Sequence, residues 1–176
     1  MSWDRRGWGL IRLYLIRHAA HEKVKGSRAL TRRGRRCFRR AARAFANLEE
    51  PLDLICSSSK PHARQTAKLL ARALERDDVV ELHELSPRVP PASLLRALAE
   101  HAREGSGIAL IGHRRQLRGL LAMLGLRDGE LRLRKGSILR VDVDSVPRPR
   151  ACVPRFRLHD SASEPEDAFL GLRRAS

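Results

Sequence analysis

The sequence predicts a three-layer α/β/α sandwich with a mostly parallel central sheet and an antiparallel edge strand. Short apolar runs alternate along the chain with longer segments whose apolar residues recur at helical spacing. This pattern is typical of a parallel sheet covered by helices on both faces. The length of 176 residues suits a single domain. We expect that domain at residues 11–160, between a flexible leader at 1–10 and a disordered, polar tail at 161–176.

The first predicted strand is Ile11–Arg17, a short apolar run that is followed directly by His18. Residues 21–29 are polar and include a glycine, so we expect a loop there. Thr31 is a typical N-cap residue. Apolar residues at helical spacing predict a helix from Thr31 to Leu48.

A second strand at Leu52–Cys56 leads through a serine-rich loop into an amphipathic helix at Ala63–Leu74. Val79–Leu82 follows as an edge strand. The proline pair at 90–91 begins a third helix, which runs to Ala102 and is closed by a glycine-containing turn.

Ile108–Ile111 predicts another buried strand, with Gly112-His113 at its end. A run of leucines from Leu117 to Leu124 marks the helix after it. Ser137–Val143 alternates as a strand, and Arg155–His159 is predicted as a final edge strand.

The charge balance favours anionic partners. The chain carries 36 Lys+Arg against 20 Asp+Glu, a formal net charge of +16. Such a field attracts nucleic acid, phosphorylated protein or other polyanions. Aromatic residues make up only 4% of the chain, which disfavours single-stranded nucleic acid because stacking platforms are scarce. Charge alone does not choose among the other anions.

Composition also bears on location. No run approaches the ~20 apolar residues that a membrane helix needs, so we expect no membrane association. The three cysteines are scattered and odd in number, which suits a reducing cytoplasm better than a disulfide scaffold. The sequence does not indicate an oligomeric state.

Three predicted strand ends carry polar groups that suit phosphate: Arg17-His18, the segment 57–62, and Gly112-His113. An isolated Arg-His pair is typical of a solvated basic loop. Parallel strands, however, end at the same edge of a sheet, and ligands bind beyond those ends. We therefore expect His18 and His113 to face each other across an anion pocket, with helix N-termini supplying further N–H donors.

These pieces resemble the histidine phosphatase (phosphoglycerate-mutase-like) superfamily, and within it the small bacterial phosphohistidine phosphatases. The resemblance spans about residues 11–159. The matching segments, in chain order, are Leu15-Ile16-Arg17-His18, Leu30-Thr31-Arg32-Arg33-Gly34, Ser58 through Ala67, Glu84-Leu85-Ser86-Pro87 and Ile111-Gly112-His113.

The resemblance implies a covalent mechanism without a metal or other cofactor. His18 would attack phosphorus and form a phosphohistidine intermediate, while a backbone carbonyl holds its other ring N–H. His113 would complete the catalytic pair. Arg17 would neutralise charge on the phosphoryl oxygens, and Ser58 would donate a hydrogen bond to them. Glu84 would protonate the leaving group.

The chain departs from the family pattern after the nucleophile and at the second phosphate-binding arginine. Ala19 replaces a glycine, which is a mild change if its φ is negative. His62 occupies the arginine position, and Arg64 lies two residues on, rotated by about 200° on a helix. Either residue could complete the phosphate site. Protonated His62 would make activity fall above neutral pH.

The sequence therefore predicts a metal-independent phosphatase that acts on phosphohistidine proteins or another bulky phosphate. Only about twenty residues separate Leu85 from Ile108, which leaves no room for a large insert over the site. The alternative is a catalytically impaired member that binds a phosphorylated or polyanionic partner. A cysteine phosphatase built on Cys56 is disfavoured because His62 stands where its arginine is required. No His-Glu-x-x-His pattern indicates a metal site.

Overall fold

Nine strands and four α-helices form the described part of the chain, which in this computed structural model comprises residues 10–126, 133–146, 152–159 and 166–167. The elements in order are β1 (Ile11–Arg17), β2 (His21–Val24), β3 (Ser27–Leu30), α1 (Arg32–Ala46), β4 (Leu54–Ser57), α2 (Pro61–Ala73), β5 (Val80–Glu81), a 3₁₀ turn (His83–Leu85), α3 (Pro91–His101), β6 (Gly107–Gly112), α4 (Arg114–Met123), β7 (Ile138–Val143), β8 (Cys152–Leu158) and β9 (Glu166–Asp167).

The predicted leader and tail fall almost wholly outside the described residues. Leu10 is the one described residue of the leader, and Glu166–Asp167 are those of the tail, where they pair with β8. No helix in the described ranges combines the length and apolar character needed to cross a lipid bilayer.

Seven strands form the central sheet in the order β5-β4-β6-β1-β7-β8-β9. The neighbours from β5 to β1 pair in parallel, whereas those from β1 to β9 pair antiparallel. β5 lies at one edge, as its short and exposed sequence predicted. The predicted α/β class is confirmed, and the antiparallel strands all lie on one side of β1.

Side chains of β1 alternate between the two faces of the sheet. Leu13 and Leu15 are fully buried in the core beneath α3 and α4, whereas Tyr14 and Ile16 are fully buried beneath α1 and α2. An apolar run without polar alternation is therefore required, because both faces of this strand are covered. The same division continues in β6, and it produces the predicted three layers.

Helix α1 begins where the sequence predicts. Thr31 Oγ1 accepts a hydrogen bond from the Gly34 backbone N–H (2.9 Å), which satisfies one of the unpaired donors of the first turn. A Cβ at Gly34 would lie 2.2 Å from the Ala20 carbonyl oxygen, so only glycine allows this approach. The helix ends at Ala46, two residues before the predicted boundary.

The segment predicted as a loop at 21–29 is a β-hairpin, which corrects the sequence-based expectation. Its strands β2 and β3 are joined by Lys25 and Gly26, which have φ values of 46° and 81°. Positive φ at both central positions is the geometry of a tight hairpin turn. Gln65 Oε1 accepts a hydrogen bond from the Leu30 backbone N–H (2.8 Å), so the hairpin is tied to α2.

A buried ionic cluster joins β1 to the antiparallel strands. Asp142 is 2% exposed and accepts hydrogen bonds from Arg140 (2.8 and 3.0 Å) and Arg155 (2.8 Å). Arg140 also donates to both carboxylate oxygens of Glu50, and Glu50 accepts from the hydroxyl of Tyr14 (2.9 Å). Each buried charge therefore has an opposite partner, as burial requires.

Candidate active site

The carboxyl ends of β1, β4 and β6 meet at one edge of the sheet. The backbone N–H of His18 donates to Gly112 O (3.1 Å), and that of Ser58 donates to Ile111 O (3.0 Å). His113 is the N-cap of α4, and Lys60 is the N-cap of α2. The structure thus brings together the three strand ends that the sequence singled out.

A cavity of ≈ 560 Å³ opens at this edge. The β2–β3 hairpin forms one of its walls, and the start of α2 and the segment after the 3₁₀ turn form others. Its lining residues are His18, His21, Gly26, Ser27, Arg28, Lys60, Pro61, His62, Pro87, Arg88 and His113.

Four histidine rings cluster in this cavity. The His18 ring centroid lies 4.4 Å from that of His62, 4.7 Å from that of His21 and 5.0 Å from that of His113. His21 and His62 stack at 4.1 Å, and His62 lies 5.2 Å from His113. The rings of His18 and His62 therefore each contact the other three.

The His18 ring is held in one tautomer. Its Nδ1 lies 3.0 Å from the Ala19 carbonyl oxygen, which can only accept, so Nδ1 carries the proton and donates. Nε2 then keeps its lone pair. The pKa of His18 is lowered to about 3. Burial is the largest cause, the nearby His113, His21 and Arg17 also lower it, and the hydrogen bond to Ala19 O acts in the opposite direction. The ring is therefore neutral at neutral pH, as a nucleophile requires.

The two flanking histidines are also neutral. Burial lowers the pKa of His62 to about 3 and that of His113 to about 4, with neighbouring histidines and Lys60 as further causes. If activity required a protonated His62, activity would be lost as the pH rises through the pKa of His62. That pKa is about 3, so the loss would come far below neutral pH rather than above it. The neutral His62 ring can donate one N–H.

Thr66, on helix α2, contacts the backbone of Ala19, the residue that follows His18. Its Oγ1 accepts from the Ala19 backbone N–H (3.1 Å) and donates to the His62 carbonyl oxygen (2.7 Å). The backbone of Ala19 is thus held at its N–H by Thr66, while its carbonyl oxygen accepts the hydrogen bond from the His18 ring. Ala19 does not adopt a positive φ, so alanine fits where the family has glycine.

Ser58 and Arg17 lie next to the cavity lining. Ser58 is fully buried, and its Oγ is 3.3 Å from His113 Nε2. Arg17 Nη1 donates to Leu133 O (3.0 Å), whereas its Nε is buried without a hydrogen-bond partner. Burial, followed by the charge of Arg114, lowers the pKa of Arg17.

Four residues singled out from the sequence are not among those that line the cavity: Arg17 and Ser58, described above, and Arg64 and Glu84. Arg64 is exposed on α2, whereas His62 is 4% exposed and lines the cavity. Of the two candidates, His62 is therefore the one that lines the cavity. Glu84 is half-buried within the 3₁₀ turn, and it is Pro87 and Arg88 after that turn that reach the cavity.

Sequence reasoning missed His21 and the hairpin wall. His21 follows His18 by three residues, and this His-x-x-His spacing at a strand end was the available signal. Its Nε2 accepts from Arg28 Nη1 (3.1 Å) across the hairpin. Because the intervening residues do not continue β1, this proximity depends on the path of the hairpin, which spacing alone does not specify.

Residues 13–88 match the profile of the Histidine phosphatase superfamily (branch 1). The resemblance that the motifs indicated is thereby confirmed for this segment, and the fold of the described residues is similar to that of solved histidine phosphatase structures. Among curated protein sequences, none matches this chain significantly.

Solved structures of phosphohistidine phosphatases share the fold. The protein histidine phosphatase SixA complexed with tungstate superposes with a TM-score of 0.73 at 18% identity, covering 85% of this chain and 97% of that one. A candidate SixA from Agrobacterium tumefaciens gives 0.65 at 24% identity, covering 81% and 96%. A candidate SixA from Nakamurella multipartitia gives 0.69 at 18% identity, covering 88% and 98%. At these identities the comparisons show that the fold is shared.

Proposed function

We propose that this protein is a phosphatase that needs no metal ion and transfers the phosphoryl group of its substrate to Nε2 of His18. The observation that carries the proposal is the hydrogen bond from His18 Nδ1 to Ala19 O (3.0 Å) within a cavity of histidines. It leaves one ring nitrogen with a lone pair at the end of β1, in a ring that is neutral at physiological pH.

In the first step, the Nε2 lone pair forms a bond to phosphorus while the bond from phosphorus to the leaving group breaks. The His18 ring becomes cationic, and its Nδ1–H stays on Ala19 O, which stabilises that charge. Water then attacks phosphorus, the N–P bond electrons return to Nε2, and phosphate leaves. A proton from the water passes to solvent.

The cavity offers donors for the phosphoryl oxygens. His62 and His113 can each donate one ring N–H. Lys60, Arg28 and Arg88 line the same cavity and attract a dianion. One preorganised donor typically contributes a factor of about 10²–10³ in rate.

We propose phosphohistidine on a protein, or another bulky phosphate, as the substrate. A phosphoimidazole needs a proton donor less than a phosphate ester does, which fits a cavity that Glu84 does not line. The segment between the 3₁₀ turn and β6 contains only α3, so no long insert covers the site from that side. The three cysteines form no disulfide, which supports a cytoplasmic location.

The test compares the wild type with His18→Ala on p-nitrophenyl phosphate and on a phosphohistidine protein, in the presence of a chelator. His101→Ala is the matched control because His101 is exposed at the end of α3. We expect turnover in the wild type and control, and none in His18→Ala. Turnover retained in His18→Ala would contradict the proposal. Phosphate binding without turnover in the wild type would favour the catalytically impaired binding protein instead.

A further inference from the structure

Three histidines in the cavity have the arrangement of metal ligands. One ring nitrogen from each of His18, His21 and His62 lies within 4.8 Å of the others. A tetrahedral zinc ion with Zn–N bonds of about 2.0–2.1 Å holds its ligand nitrogens about 3.4 Å apart. Metal binding would therefore require the ligand nitrogens to approach one another by roughly 1.4 Å or less. His21 starts the hairpin strand β2, next to exposed residues that leave it room to move.

One of these rings carries a buried nitrogen for which the described residues supply no hydrogen-bond partner. It is Nδ1 of His62, in a side chain that is 4% exposed. A buried polar atom without a partner costs free energy. A ligand that engages the rings and reorganises their hydrogen bonds would recover part of that cost.

We propose that His18, His21 and His62 form a binding site for one divalent transition metal ion of the zinc type, and that the bound ion competes with phosphoryl transfer. Three imidazoles with an open fourth position are typical of zinc sites that exchange ligands. The ligand set contains no carboxylate, so it selects Zn²⁺, Co²⁺ or Ni²⁺ over Mg²⁺ or Ca²⁺.

The competition follows from a single lone pair. Nδ1 of His18 is committed to Ala19 O (3.0 Å), so Nε2 is the only atom of that ring that can bind a metal. The same atom is the proposed nucleophile. A metal-bound Nε2 cannot attack phosphorus. This part of the inference rests on the proposed function, whereas metal binding itself does not.

Arg28 opposes metal binding at this site. Its guanidinium donates to His21 Nε2 (3.1 Å) and adds positive charge to the cavity wall. An incoming cation must displace it, and Arg28 is exposed, so it can swing into solvent. Arg28→Ala is therefore expected to tighten metal binding, which is the opposite of the effect of losing a ligand.

The first test titrates the metal-free full chain with Co²⁺, monitored through its visible absorption, and with Zn²⁺ by calorimetry. We expect one ion per chain in the wild type and an affinity at least about tenfold weaker in His21→Ala and His62→Ala. His83→Ala and His101→Ala are matched controls because both side chains are exposed, and they should bind like the wild type. Equal affinities in His21→Ala and the controls would overturn the proposal.

The second test measures phosphatase activity with increasing Zn²⁺ and then with excess chelator. We expect inhibition that substrate relieves and that the chelator reverses. His62→Arg, which places a cation where a ligand stood, should lose both the cobalt spectrum and the zinc inhibition. Stimulation by Zn²⁺ would overturn the competition. A wild type without phosphatase activity would defeat the proposed function, while the titration would still decide whether the metal site exists.

Discussion

Thr66 is predicted to position the backbone of Ala19, and through it the His18 ring, without touching the substrate. Thr66→Val keeps the shape of the side chain and removes the hydroxyl that accepts from Ala19 N–H (3.1 Å) and donates to His62 O (2.7 Å). A buried N–H left without a partner costs about 1–3 kcal/mol. At this chain length each kcal/mol corresponds to about 2–4 °C, so the melting midpoint should fall by roughly 2–12 °C.

Activity should fall as well, because the Ala19 peptide carries the carbonyl that fixes the His18 ring. A misplacement of about 1 Å costs up to about 10²-fold in rate. Thr66→Ser keeps the hydroxyl and loses a methyl group, so it should retain most of the activity although it loses about 1 kcal/mol of stability. The assays are thermal denaturation and kcat/KM on p-nitrophenyl phosphate. A Thr66→Val protein as active as Thr66→Ser would refute the positioning role.

Three further predictions concern the fold. Gly34→Ala should lower the free energy of unfolding by about 1–3 kcal/mol in urea denaturation, because its Cβ would meet the Ala20 carbonyl oxygen at 2.2 Å; an unchanged midpoint would show that the loop adjusts freely. Asp142→Ala should cost about 1–3 kcal/mol by the same assay, because Arg140 and Arg155 lose a shared carboxylate that is 2% exposed while Arg140 keeps its pairing with Glu50, whereas Asp78→Ala removes an exposed ion pair and should have little effect. Equal losses in these two variants would contradict the account of the buried cluster. Tyr14 is the only tyrosine of the chain. Burial and the Glu50 carboxylate beside it raise the pKa of Tyr14 above the ordinary value. The phenolate absorbance of the folded protein should therefore stay absent as the pH passes about 10. The unfolded chain ionises there and the folded one does not, so stability should decline above that pH; a folded-state titration at the ordinary pKa would contradict this.

The central part of the fold is predictable because its strands are buried on both faces. The residues of β1 and β6 that lie between the two helical layers must be apolar, and their sequences follow that requirement except at Arg12 and Arg17 of β1. The β2–β3 hairpin is not predictable in the same way. Its residues are mostly exposed and polar, so its formation depends on the Lys25-Gly26 turn and on contact with α2 rather than on hydrophobic periodicity.

Some residues of the candidate site are likewise predictable from the sequence, whereas others are not. His18 and His113 are predictable because parallel strands deliver their ends to one edge of the sheet. Helix geometry predicts that His62 and Arg64 point in directions about 200° apart, but it leaves open which of them faces the cavity. His21 depends on where the hairpin turns, which no local pattern encodes. Glu84 is predicted as a site residue by the resemblance alone. It lies in the short 3₁₀ turn, and the residues that line the cavity are Pro87 and Arg88, which follow that turn.

The most direct measurement is to trap the phosphorylated enzyme. The wild type is mixed with substrate, quenched in alkali to preserve phosphohistidine, digested and mapped by mass spectrometry. We predict a single added phosphoryl group on the peptide that contains His18, and none in His18→Ala. A phosphoryl group on another residue, or steady turnover by a chain that is never phosphorylated, would contradict the covalent mechanism.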